Sequence, residues 1–181
     1  MMNKITVLII TSWAITITST AMAERIDIFA AARQGDISAI KAYALKGGNV
    51  NISNSKSHTP FILAAYYGHL QALDTLLQIG ADACAMDNKG SNAFMGVAFK
   101  GHNHVAQWLL DNTSCAVNHR NYAGQTALMM ASLFGREVII KQLLEHGADA
   151  DLKDHQGNTS AKLAQAQGLN HIVETIKFHM Q

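Results

Sequence analysis

Nine histidines and two cysteines are the residues of this 181-residue chain best suited to chemistry. Imidazole and thiolate bind metals, carry protons and attack carbonyl carbon. Their spacing argues against each of these uses. His102 and His104 lie two residues apart, but a zinc site needs a second half-site of Cys or His, and none is present at matched spacing. The run DADLKD, Asp149 to Asp154, begins like a calcium loop. Lys153 then stands where a third acidic ligand belongs, and the turn glycine is missing. No nucleophile elbow, phosphate-cradling glycine loop or paired-acid signature occurs. The expectation is a non-enzymatic protein without metal or other cofactor.

The elements that must position these residues follow from composition and period. The chain is 49% hydrophobic and 15% charged, ordinary for one soluble domain with a core. Residues 1–23 stand apart: Lys4 precedes a short apolar run, and Ala21-Met22-Ala23 fits the A-x-A cleavage pattern of a secretory leader. The run is shorter than the about 20 residues of a membrane span, so an uncleaved anchor is the weaker alternative. A signal peptide over 1–23 and a mature domain over 24–181 are expected, placing the protein in the periplasm or outside the cell, with no membrane span after cleavage. The whole chain has 14 Lys/Arg and 13 Asp/Glu, and loss of Lys4 makes the two equal. No basic run or stripe is visible, which speaks against nucleic acid as partner.

Gly35, Gly68, Gly101, Gly135 and Gly168 recur at intervals of 33, 33, 34 and 33 residues. A fixed period of this size marks stacked units that cannot bury their apolar faces alone. Each glycine ends a short apolar segment, as a left-handed helix cap requires. LQALDTLLQIG, HVAQWLLDN and EVIIKQLLEHG then repeat apolar residues three and four apart, the period of a second helix. Polar stretches between units place Gly90, Gly124 and Gly157 at one turn position, with Ser57 in the fourth. Each unit reads as hairpin, helix, turn, helix.

Thr59-Pro60-Phe61-Ile62-Leu63-Ala64, the weaker copies at Thr126 and Thr159, and GADA at Gly80 and Gly147 together resemble the ankyrin repeat. The resemblance covers residues 26 to 178, about five units with degenerate ends. It implies an all-α ankyrin-repeat solenoid of stacked helix-turn-helix units joined by β-hairpin loops. It also implies that His69 and His102, after their capping glycines, are scaffold rather than catalyst. The third unit departs most: Asn92-Ala93 replaces Thr-Pro, Gly96 lies inside a helix, and NTSCAV replaces GADA with one extra residue. That unit is expected to be locally weak unless something holds it.

In such stacks the hairpin tips and the exposed end of the first helix line a concave face. Onto that face the resemblance maps Tyr66, Tyr67, Phe99, Lys100, Leu133 and Phe134, with Tyr122 at a hairpin tip. Aromatic residues dominate the energetic centres of interfaces, so these are the candidate partner-binding residues. The rival reading tucks several of them against adjacent helices. Similarity to exported bacterial ankyrin proteins implies another protein as partner, which the chain would modulate or protect. An immunity-type inhibitor of a periplasmic toxin is the alternative, as is a stress protein binding metal or a small molecule. Cys84 and Cys115 are expected to pair. Cys115 aligns with Asp82 in the unit before it, while Cys84 lies on the chain crossing between the two units. Two separate thiols remain the alternative there.

Overall fold

The computed structural model describes residues 26–179, so the expected leader over 1–23 lies outside the described residues. Among these residues ten helices fall into five pairs. They are α1 (Ile28–Gln34) with α2 (Ile37–Leu45), α3 (Pro60–Tyr67) with α4 (Leu70–Gln78), and α5 (Ala93–Lys100) with α6 (Asn103–Asn112). The series closes with α7 (Ala127–Leu133) and α8 (Glu137–Glu145), then α9 (Ser160–Ala166) and α10 (Asn170–His179). First helices pack on first helices and second on second, giving two layers.

The threonine of the repeated signature is a helix cap. Thr59, Thr126 and Thr159 each turn a hydroxyl oxygen toward the backbone N–H three residues on, at 3.2–3.3 Å. Such a cap satisfies one donor that the first helical turn leaves orphaned. Pro60 needs no such partner at the first helical position. Asn92 supplies the same bond to Met95 N–H at 3.3 Å, so the third unit keeps its cap despite the substitution. Inside the layer, Ala31, Ala64, Ala131 and Ala164 are buried at one repeat position, with Val97 as the fifth. Small side chains there let neighbouring first helices approach closely. Leu73 and Leu76 of α4 and Ile139, Ile140 and Leu143 of α8 fill the space between layers. Truncating one of them to alanine costs about 2–5 kcal/mol.

The connections differ from the expected β-hairpins in one respect: no described residue lies in a strand. Each tip is held by a side chain instead. Asn54, Asp87, Asn121 and Asp154 accept hydrogen bonds from the backbone N–H groups two and four residues on. The local side-chain bonds outcompete strand pairing. Neighbouring tips are joined by single backbone bonds: Asn88 N–H to Lys56 carbonyl, Tyr122 to Lys89 and His155 to Ala123.

Candidate partner-binding groove

Three kinds of link hold one repeat to the next, and they fix the surface the stack presents. The first is the histidine after the capping glycine. His69 Nε2 reaches the Arg33 carbonyl at 2.8 Å and His102 Nε2 reaches the Tyr66 carbonyl at 3.0 Å. Arg136 takes the third place, donating from its guanidinium to the Phe99 carbonyl at 3.1 Å. These side chains reach back to the end of the preceding first helix, so none caps its own helix. The ring of His102 lies over Gly68, where a Cβ would stand 2.9 Å from it. The glycine is required twice, for its φ of +80° and for the imidazole above it.

The second link joins loops. Asn51 donates to the Gly80 carbonyl at 2.9 Å and accepts from Asp82 N–H at 2.7 Å. Asn118 makes the same pair of bonds to Gly147 and Asp149, at 3.2 and 2.8 Å. At the junction between them the equivalent residue is Cys84, and it is bonded to Cys115. Asn51 to Asp82, Cys84 to Cys115 and Asn118 to Asp149 all span 31 residues. The disulfide replaces an asparagine clasp. The third unit also lacks the glycine loop: Thr113, at the position of Gly80 and Gly147, is extended at φ −126° where those glycines are left-handed. Helix α6 instead ends on side-chain bonds from Asn112 and Thr113 to the carbonyls of Trp108 and Leu109. The third link is the ladder of hairpin tips.

On the side facing those tips runs a groove of about 580 Å³. Tyr66, Tyr67 and Phe99 line it, with Met95, Gly96 and Met130. Tyr66 stacks on Phe99 with ring centres 6.1 Å apart, and Phe134 meets Phe99 edge-on at 4.7 Å. Tyr67 stands edge-on to Tyr66 at 5.4 Å, and Lys100 Nζ lies 5.2 Å from the centre of the Tyr66 ring. Five of the seven candidate residues therefore form one row across three repeats. They are only partly covered: Tyr67 is 46% exposed, Phe99 36% and Phe134 39%. Tyr122 lies apart from the row, against Gly90 of the preceding hairpin tip and well exposed. Leu133 is half-buried and does not line the groove, and Lys100 and Phe134 extend the row beyond the lining itself. Arg33, Lys56 and Lys89, none of them among the seven candidates, line the groove as well. Lys56 and Lys89 stand 33 residues apart, so the repeat period itself could have found them.

Several of the other candidates for chemistry are engaged by the scaffold, although His104 of the His102 pair is exposed. His102 is engaged with a carbonyl, and Asp149 accepts from Asp151 N–H within its own loop. Burial pushes the carboxyl of Asp154 up. Bonds from the N–H and side-chain amide of Asn158 and the N–H of Gln156 outweigh that and hold it below the usual range. Among the described residues no three His, Cys, Asp or Glu side chains gather as a metal site would need. Nor is any helix long and apolar enough to cross a membrane.

Comparison with known proteins settles the family. The model of ankyrin repeats in three copies matches residues 28–121 and 94–179. The chain belongs to the ankyrin-repeat family. Its all-α solenoid and the role of that family as a protein-interaction module follow. Among relatives, the ankyrin repeat protein YahD of Escherichia coli K12 is 27% identical over 188 residues, across 83% of this chain and 94% of its own length. The human ankyrin repeat domain-containing protein 63 is 31% identical over 101 residues, a match spanning 54% of this chain and 27% of that protein. The mouse ankyrin repeat and SAM domain-containing protein 6 is 32% identical over 140 residues, 77% of this ankyrin chain and 12% of that protein.

Proposed function

We propose that this ankyrin-repeat protein is a non-enzymatic binding module that holds an exported partner protein in its concave groove, modulating or protecting it. The observation that carries this reading is the aromatic row. Tyr66, Phe99 and Phe134 come from three successive repeats, pack on one another and remain partly exposed. A scaffold needing only solubility would place polar residues there, and a contiguous exposed apolar strip on a soluble protein needs a reason. The leader-like residues 1–23 support a periplasmic or secreted place of work. Inhibition of an exported toxin uses the same groove and is separated by the identity of what is captured.

The test is affinity capture from periplasmic extract of the native host, using wild type, Phe99→Ala and Phe134→Ala. Each variant is expected to weaken capture by about 1 kcal/mol or more while circular dichroism stays unchanged. Capture that survives both substitutions places the interface elsewhere and refutes the reading.

A further inference from the structure

We infer that the groove is built for an acidic peptide segment carrying one bulky apolar side chain, the acids meeting Lys56, Lys89 and Lys100 and the anchor seating over Gly96. The inference rests on the groove being a protein-binding site, and it adds the chemistry of the partner.

Carboxylates are segregated in the stack although the two signs nearly cancel over the chain. None of the five first helices carries a carboxylate, while Arg33, Lys100 and Lys162 lie on them. The second helices carry Asp74, Asp111, Glu137, Glu145 and Glu174 alongside Lys41, Lys141 and Lys177. Within the groove the charged lining is Arg33, Lys56 and Lys89 against Asp87 alone, with His58 beside it. Asp87 is already committed: one oxygen accepts from the N–H groups of Lys89 and Ser91 at 2.8 Å, and the other lies 3.7 Å from His58 Nε2. Arg33 is shared with Asp27 at 3.9 Å. Among the described residues Lys56, Lys89 and Lys100 enter no ion pair. All three are exposed. Lys56 and Lys89 line the cleft and Lys100 stands beside it over Tyr66, and unpaired cations so placed favour a partner of opposite charge, speeding encounter and rejecting basic competitors.

The anchor site comes from a missing side chain. Gly96 lies in the middle of α5, where glycine weakens a helix, yet its backbone is helical and a Cβ there would meet only Tyr66, at 3.5 Å. Alanine would fit without a clash, so packing does not demand glycine. Its effect is to leave the floor open between Tyr66, Met95, Phe99 and Met130. A groove of about 580 Å³ takes one such anchor and a few flanking residues. Single-stranded nucleic acid fits the surface less well. Bases need free aromatic faces, whereas here Tyr66 and Phe99 stack on each other and Phe134 covers the edge of the row.

Fluorescence anisotropy of the full chain with three labelled peptides decides the matter. One has a tryptophan flanked on both sides by glutamates, one has lysines in place of the glutamates, and one has alanine in place of the tryptophan. The glutamate–tryptophan peptide is expected to bind about tenfold or more tightly than either of the others, and to weaken by a similar factor against Lys56→Ala/Lys89→Ala. Raising salt should weaken it too, since these charges are exposed. Equal or tighter binding of the lysine peptide, absence of binding by the glutamate peptide, or preferential displacement by single-stranded DNA overturns the inference. If the glutamate peptide fails while Phe99→Ala and Phe134→Ala still abolish capture of the exported partner, the acidic assignment alone falls. Failure of both experiments removes the groove as a binding site.

Discussion

The same substitution at two glycines has opposite expected signs. At Gly68, alanine meets a left-handed backbone, φ +80°, and the His102 ring at 2.9 Å. A left-handed residue with a Cβ costs about 1–2 kcal/mol before the imidazole moves. At Gly96, alanine meets a helical backbone and ordinary contact distance, so Gly96→Ala should stabilise by about 0.5–1 kcal/mol. Urea denaturation of the two variants reads both signs, and destabilisation by Gly96→Ala would show that Tyr66 cannot yield. Asp154 offers a second residue-scale test. Burial raises its pKa, hydrogen bonds from Asn158 and Gln156 lower it, and the net folded value is depressed. A depressed carboxylate contributes stability that is complete above the unfolded pKa, about 3.9, and is lost as pH falls through the lower folded value. Asn54 and Asn121 perform the same turn without a titrating proton. Asp154→Asn should therefore lose less stability than wild type between about pH 5 and pH 2, measured by denaturation at fixed pH steps. Parallel pH profiles for the two proteins would assign the acid sensitivity to other groups.

At the scale of elements, the junction of the second and third repeats is the informative one. Its outer helices, α4 and α6, have the thinnest contact of the neighbouring second-helix pairs, and the disulfide spans the loops beside them. Cys84→Ala/Cys115→Ala is expected to cost roughly 3–4 kcal/mol in thermal or chemical denaturation, the entropic value for a loop of this length. Cys84→Asn/Cys115→Asp recreates the side chains of the flanking clasps and should recover about 1 kcal/mol of that loss. No recovery would mean that the missing glycine loop, not the missing pair, defines the junction. Much of this was legible beforehand. The capping glycines, the threonine caps and the paired cysteines follow from the period and from the chemistry of each residue. What Cys84 replaces is legible too, since Asn51, Cys84 and Asn118 occupy one repeat position; that an asparagine there grips the next loop is not, because its partners lie across a junction. The target of each histidine and the edge-on meeting of Phe134 with Phe99 were not legible. They depend on side-chain direction across a junction, which spacing along one chain does not encode.

At the scale of the whole molecule, the main helix contacts among the described residues lie within a repeat or between neighbours, so stability is close to a sum of units and junctions. In protein beginning at Glu24, Trp108 of α6 is the single tryptophan and reports on the third repeat. With the disulfide intact, Trp108 fluorescence and far-ultraviolet circular dichroism should unfold together. After reduction the first two repeats should melt earlier, so that the circular dichroism curve leads the fluorescence curve. Coincident curves after reduction would show that the inner contact of α3 with α5 carries the junction unaided.

The bond between Cys84 and Cys115 also changes how the molecule answers a pull. It encloses the third repeat, α5 and α6 together, in a covalent ring of 31 residue steps. Stretched by its ends, the chain can peel away repeat by repeat from either side, but the length inside the ring never joins the extended thread. At about 3.5 Å per residue, roughly 110 Å of contour is withheld. A machine that threads polypeptide through a narrow pore would meet two strands abreast at this point. The repeat with the weakest sequence thus becomes the one that tension cannot draw out.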